Sequence, residues 1–398
     1  MWKMKTENRH MSKLEKLIAE LCTDGVEYKS IREIAEVGTG NSNGNESVDN
    51  GLFPFFVRSQ TIKSKDDYEY DEEAIIIPGE GGIGEIFHYI NGKYALHQRV
   101  YRIHFIVEDV NTKFAYYYMQ AYFKPFILKK AVSATVTSIR KPMIEDFPFP
   151  VPPLPVQREI VRILDNFTEL TAELTAELTA RKKQYAYYRD KLLTMDNEQV
   201  AMCNLEDICE SIADGDHMPP PKADNGVPFI TISNITEQNK IDFSNTMFVP
   251  RTYYDALAEK RKPKRGDILY TVVGSYGIPV CIEEDREFVF QRHIAILRPK
   301  KQLVKSRYLF HAMQSSVFKA QADKAAKGAA QKTIGLAALA EMTLPVPSLA
   351  AQQRLVEVLD NFDAICTDLS SGLPAEIEAR QKQYEYYRDK LLTFTPAD

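Results

Sequence analysis

Fourteen residues beginning at Arg181, RKKQYAYYRDKLLT, return as RQKQYEYYRDKLLT from Arg380 with twelve positions identical. Upstream of each copy lies a second shared segment, QREIVRILDNF from Gln157 and QQRLVEVLDNF from Gln352, introduced by Pro-Val-Pro at 150–152 and 345–347. A chain that carries the same long segments twice folds as two units of one design, so the repeat bounds the architecture first. The copies are not evenly spaced. LDNF recurs at an offset of 195 (359 minus 164) and the tyrosine block at 199 (380 minus 181), so the second copy holds four extra residues, about one helical turn.

Between Phe167 and Arg181 the first copy reads TELTAELTAELTA, a four-residue unit of strong helix formers with Leu170, Leu174 and Leu178 one turn apart. This predicts a nearly unbroken helix from Gln157 to Leu193. Ser370, Ser371, Gly372 and Pro374 occupy the matching stretch of the second copy, which predicts a short helix to about Asp368 and a long one from about Pro374. Tyr185, Tyr188 and Leu192, like Tyr384, Tyr387 and Leu391, follow the helical period and form an apolar stripe. Each stripe can pack on its own globular half or on the other copy. Mutual, antiparallel pairing about a pseudo-twofold is the expectation, because it lets the two copies bury each other.

At 398 residues and 44% apolar, the chain can form two or three domains with proper cores. The first seventeen residues are polar and no run approaches a membrane span, so a cytoplasmic protein without a membrane partner is expected, with Met11 an alternative start. Cys22, Cys203, Cys209, Cys281 and Cys366 are scattered and read as reduced thiols. The net charge of −5 opposes a uniformly basic nucleic-acid binder, yet charge is unevenly placed. Lys124, Lys129, Lys130, Arg140 and Lys141 occur with no acid between them, Lys319–Lys332 is basic at the corresponding place, and five of six residues in 260–265 are basic. One such run is usually a solvated face; two at equivalent positions of a duplicated chain point toward phosphate.

The segments between the shared helices keep a layout and differ in sequence. SIREIAE from Ser30 aligns with NLEDICE from Asn204, FPFFVRS from Phe53 with VPFITIS from Val227, Gln98-Arg99 with Gln291-Arg292, and Ser138-Ile139 with Thr333-Ile334. Apolar runs such as AIIIP from Ala74 and HIAILRP from His293 alternate with helical stretches such as KFAYYYMQAYF from Lys113 and SRYLFHAMQSS from Ser306, so each half is α+β with a small sheet. The predicted parts are 1–150, a helical spacer 151–199, 200–347, and a helical region 348–398.

Catalytic signatures fail in turn. Gly79, Gly81 and Gly84 satisfy G-x-G-x-x-G, but IGEIFHYINGKYALHQR after them reads as strand, turn and strand, where a dinucleotide site needs a helix N-terminus. Gly274-Ser-Tyr-Gly277 is likewise a turn between strands, and Val37-Gly-Thr-Gly40 leads into an Asn-rich loop. There is no P-loop, no D/N-P-P-Y/F segment for a flipped adenine, no nuclease carboxylate hairpin and no histidine pair at metal-ligand spacing. Catalytic, metal and cofactor sites are therefore not expected.

The P-x-P-L-x-x-Q lead-in, LDNF, the TAEL units, the RKKQYxYYRDKLL block and the opening KLEKLIAEL-C-x-DGVEYKSI together resemble the specificity (S) subunit of type I restriction-modification enzymes, over essentially the whole chain. The resemblance implies two target-recognition domains, each reading one half of a split sequence in double-stranded DNA and separated by an antiparallel helix pair. It also implies docking of two methyltransferase (modification) subunits, joined by a nuclease-translocase (restriction) subunit; the chemistry then belongs to the partners. The second half departs by about twenty extra residues, among them Lys260–Arg265. The expected DNA face is Gln98, Arg99, Ser133, Thr135, Thr137, Arg140 and Lys141 in the first half. In the second it is Gln291, Arg292, Lys327, Gln331 and Lys332, with Lys262, Lys264 and Arg265 on phosphates. For Gln98 and Gln291 a hydrogen bond inside the frame is the alternative. The expected partner face is Tyr185, Tyr187, Tyr188 and Arg189 with Tyr384, Tyr386, Tyr387 and Arg388. Two other classes stay open: an enzyme of unrecognised chemistry, which predicts methylation or cleavage by the chain alone, and a protein-binding adaptor, which predicts no salt-dependent DNA affinity.

Overall fold

A computed structural model describes residues 11–130, 138–194, 200–215, 220–329, 331–368 and 370–397; Ser133, Thr135 and Thr137 lie outside the described residues. The chain divides into two compact units, residues 1–173 with 378–398, and residues 174–377.

The first unit begins with α1 (Lys13–Leu21), closed by a reciprocal Ser12–Glu15 capping box. There follow β1 (Tyr28–Ser30), α2 (Ile31–Ile34), β2 (Ala35–Thr39), β3 (Phe53–Phe56), β4 (Lys63–Lys65), β5 (Tyr70–Pro78), β6 (His88–Leu96), β7 (Val100–Phe105), α3 (Thr112–Lys130), α4 (Lys141–Glu145) and β8 (Pro148–Pro150). Six strands form one sheet in the order β2-β7-β5-β6-β3-β4, antiparallel except where β3 lies beside β6. β1 pairs separately with β8. Phe114, Met119, Phe123 and Ile127 of α3 are buried with Ile75, Ile77 and Ile103 of the sheet, which accounts for the near-continuous apolar character of both segments. Within the stretch read from sequence as strand, turn and strand, Asn91-Gly92 lies inside β6 opposite Glu73 and Glu72. Gly92 takes φ +123 there with open space around it, so the ladder absorbs the irregular residue instead of reversing.

α5 (Leu154–Thr194) runs without interruption for 41 residues from the first unit into the second. The second unit then carries β9 (Met202–Asn204), α6 (Leu205–Ile208), β10 (Cys209–Asp214), β11 (Val227–Ile230), β12 (Met247–Val249), α7 (Arg251–Asp255), β13 (Ile268–Thr271), β14 (Pro279–Cys281), β15 (Val289–Phe290), β16 (Ile294–Pro299), α8 (Ser306–Met313), α9 (Ser316–Ala325), α10 (Leu336–Ala340) and β17 (Thr343–Pro345). Its strands run β10-β16-β13-β14 and β12-β11-β15, with β11 parallel to β15 and β9 paired to β17. This is the order of the first unit with β6 cut into β14 and β15.

α11 (Leu349–Thr367) and α12 (Leu373–Leu391) meet the predicted break at Ser370–Pro374. The tyrosine stripes pair with the other copy, as expected, but against its LDNF helix and not against its tyrosines. In the second unit Tyr185, with Leu178 and Leu192, is buried against Leu359, Phe362 and Cys366 of α11, and Tyr188 stacks on Phe362 at 5.8 Å and 22°. Arg181 and Lys182 act on Cys366 while Leu193 shares a core with Val356, so the helices run antiparallel. In the first unit Tyr387 stacks on Phe167 at 5.5 Å and 23°, the same pair with the copies exchanged.

Two fully buried glutamines fix the start of each LDNF helix. Gln157 accepts from the Asn111 N–H at 2.8 Å and donates to the carbonyls of Asp109 (2.7 Å) and Pro152 (2.6 Å). Gln352 accepts from the Lys305 N–H at 2.8 Å and donates to Leu303 (2.9 Å) and Pro347 (2.8 Å). Further along, Asp165 accepts from Lys113 and Tyr117, and Asp360 from Arg307 and His311. His311, fully buried, also meets the Tyr185 hydroxyl at 2.8 Å through Nδ1.

Burial holds the His311 imidazole below its ordinary value despite Asp360. The unfolded chain takes up that proton near pH 6.5, so the second unit loses stability as pH falls below about 6.5 and through the depressed folded value. Acid unfolding of His311→Gln is expected to show a shallower pH dependence than wild type; identical profiles would exclude this origin.

The last residues complete the first unit. Val26 donates to Thr395 O and accepts from Ala397 N, both at 2.9 Å, in a parallel bridge with Pro396. Gly25 sits at φ +87, and a Cβ there would meet Pro396 O at 2.6 Å.

Candidate nucleic-acid interface

Equivalent hydrogen bonds define one end of each sheet. In the first unit His97 N donates to Phe56 O, Val100 N to His97 O, Gly79 N to Arg99 O and Ile139 N to Gly79 O. In the second, Gln291 N donates to Ile230 O, Ile294 N to Gln291 O, Val272 N to His293 O and Ile334 N to Val272 O. In the frame Gln98 therefore holds the position that Arg292 holds in the second unit, and Arg99 that of His293, one residue off the alignment read from the Gln-Arg dipeptides. Identical dipeptides at a turn outweighed the ladder bonds, which a sequence does not display. The pairing of Ile139 with Ile334 matches the sequence alignment. Gly40 and Gly215 also correspond: a Cβ at either would strike the backbone of Leu96 (1.8 Å) or of Phe290 (2.2 Å), so each brings its loop against the neighbouring strand.

At this end the first unit gathers exposed Gln98, Arg99 and Arg140. The Gln98 amide donates to Asn43 Oδ1 at 2.7 Å, so part of it serves the frame. Lys141 opens α4 and lies 3.6 Å from Glu145. Arg58 and Glu80, which sequence reading passed over, belong here too: Arg58 and Arg99 both reach Glu80 Oε2, at 3.0 and 2.9 Å. The glycine-rich stretch was the available signal, since it carries Glu80.

The second unit gathers Gln291, Arg292, Lys327, Gln331 and Lys332. Lys327 and Thr333 exchange backbone bonds at 2.9 and 2.8 Å, closing a loop whose Lys332 carbonyl accepts from Gly274 N at 3.0 Å. Lys262, Lys264 and Arg265 are elsewhere. Arg298 donates to Lys262 O and Glu259 O, near the far end of β16 from Arg292, six strand residues or roughly 20 Å away. Lys262 and Lys264 both pair with Glu259, at 3.1 and 3.3 Å, while Arg265 is exposed.

On the helices, Tyr187 and Tyr386 are 60% and 63% exposed, and each meets its neighbour, Tyr188 or Tyr387, edge-on at 5.3 Å. Tyr185 is buried and Tyr384 is packed against the first core, so these two serve the fold. Arg189 and Arg388 lie over the rings of Tyr185 and Tyr384. Among the described residues no cluster of metal-ligating side chains occurs, and no helix is long and apolar enough to cross a membrane.

A family model, the type I restriction modification DNA specificity domain, matches residues 23–181 and again 197–379. The chain belongs to this family. Two specificity domains in one chain make it a type I specificity subunit. It is 29% identical over 393 residues to a Haemophilus influenzae protein named as a putative type I restriction enzyme specificity subunit, covering 93% of this chain and 96% of that one. It is 34% identical over 272 residues to the EcoR124I/EcoR124II specificity subunit of Escherichia coli, covering 62% and 63%. Among solved structures, the S subunit of M. genitalium shares the fold at TM-score 0.55 and 16% identity, covering 92% of this chain and 95% of that one. A chain from a study of complex assembly in the type I system shares it at TM-score 0.61 and 14% identity, covering 92% and 97%.

Proposed function

We propose that residues 1–150 and 200–347 carry two readers of a split target in double-stranded DNA, and that 151–199 and 348–398 carry the helices on which two methyltransferase subunits dock. The observation that carries this reading is a strand order shared by the units, with equivalent backbone bonds and different polar loops at the same sheet end. Such a frame holds two base-reading surfaces in one geometry while their chemistry differs. A nuclease-translocase subunit joins through the methyltransferases. Methyl transfer and cleavage belong to these cytoplasmic partners, and the specificity subunit supplies recognition and spacing. Tyr187–Tyr188 and Tyr386–Tyr387 fit two identical partners: the same exposed aromatic pair, on the same stacked phenylalanine, occurs once in each unit.

Replacing Tyr187 and Tyr386 by Ala is expected to leave the chain folded and to weaken each methyltransferase contact about tenfold or more. Mass measurement of the mixture should show loss of the two-to-one complex. Full stoichiometry at unchanged affinity would remove the tyrosines from the docking face.

A further inference from the structure

The first unit holds a charge arrangement that phosphate binding does not explain. Arg58, just after β3, and Arg99, in the turn between β6 and β7, converge on a single oxygen of Glu80, and all three side chains are solvent-accessible. A carboxylate at a face that meets a polyanion opposes phosphate, so a simple phosphate clamp would omit it. Exposed ion pairs also add little to stability.

The backbone just before Glu80 is held on both sides. Gly79 before it is bonded on one side to Arg99 O (2.9 Å) and on the other to Ile139 N (2.8 Å), and its missing Cβ leaves room against Arg99 O, 3.0 Å away. Gly81, Gly82 and Gly84 come next at φ +76, +56 and +64, a path that other residues rarely take. Each arginine commits one Nη1 to the carboxylate, which turns two flexible side chains into a fixed pair with other N–H donors still available. Guanidinium groups held this way match guanine O6 and N7 in the major groove.

The hydrogen-bonded frame puts Val273 at the position of Glu80, Ile232 at that of Arg58 and His293 at that of Arg99. The second unit therefore has no equivalent, and the two readers use different chemistry.

We propose that Glu80 is a specificity-determining positioning residue, holding Arg58 and Arg99 as a fork that reads guanine in the half-site of the first unit. This rests on the DNA-reading proposal above. The test uses the assembled complex with its methyltransferase subunits, as wild type, Glu80→Gln, Glu80→Asp and Arg99→Lys, methylating a library of duplexes randomised in both half-sites. Glu80→Gln is expected to lower discrimination at one guanine of the first half-site about tenfold. The second half-site should be read as before, which also reports that the complex is folded. Glu80→Asp should restore part of the loss, and Arg99→Lys should relax a guanine of the same half-site. Unchanged preferences in Glu80→Gln, or a uniform weakening over all sequences, overturns the assignment. A wild-type complex without any split preference overturns the DNA-reading proposal itself, a result distinct from either.

Discussion

Deleting Thr171–Leu174, one four-residue unit of α5, is expected to shorten the unspecified spacer between the half-sites by about one base pair while both half-sites stay the same. The deletion removes roughly 6 Å of helix and rotates the remainder of α5 by about 40°, at about 1.5 Å rise and 3.6 residues per turn. One base-pair step is about 3.4 Å, so the lost length is one or two steps along a duplex, less where the helix is tilted. The rotation is close to the twist of one base pair. The repeated pattern of strong helix formers is kept on both sides of the deletion, so the shortened segment remains helical. Activity at the original sequence should disappear and reappear at the shorter one. Mapping of methylated bases in a strain carrying the deletion decides it; full activity with an unchanged spacer would make these residues a slack tether.

Gln352→Leu is expected to be among the most damaging single substitutions in the second unit. The side chain is fully buried and satisfies the Lys305 N–H and the carbonyls of Leu303 and Pro347. Leucine fills similar space and pairs with none of them, which costs roughly 3 kcal/mol or more when buried backbone groups are left without partners. Exposed Gln353, bonded to Glu357 in the next turn, is the control: Gln353→Ala should stay within about 0.5 kcal/mol. Chemical denaturation gives the difference, and hydrogen exchange at the Lys305 amide locates it. Equal stability of the two variants, with Lys305 still protected, would show that the buried amide is dispensable.

Regular features were readable from sequence where they rest on periodicity. The 41-residue helix follows from TAEL spacing, the break before α12 from Ser370–Pro374, and the α+β character of each half from apolar runs. Pairing of each stripe with the other copy was legible, but not its target. Phe167 and Phe362 looked like ordinary helix residues until Tyr387 and Tyr188 were found stacked on them. The sheet end proposed to face DNA was legible only in part. Gln98, Arg99, Gln291 and Arg292 were picked out, yet their correspondence slipped by one residue because backbone hydrogen bonds, which carry no side-chain signature, set the register. Glu80 was passed over for another reason: an acid draws no attention beside basic residues expected to meet DNA, and the two arginines it pairs with are distant in sequence. Lys262 and Lys264, expected on phosphates, both pair with Glu259, three to five residues earlier, an interaction that their basic run alone does not display.

The bridge between Val26 and Pro396 bears on how the chain is made. Translation delivers residues from the amino end, and domains generally fold as they emerge. The second unit is contiguous from 174 to 377 and can close once that stretch is free, whereas the first waits for 378–397 to supply Tyr384, Tyr387, Leu391 and the pair to Val26. The unit begun first is thus finished last. Without residues 378–397 the second unit keeps all of its own segments, while the first lacks the helix that carries Tyr384, Tyr387 and Leu391 and the strand partner of Val26.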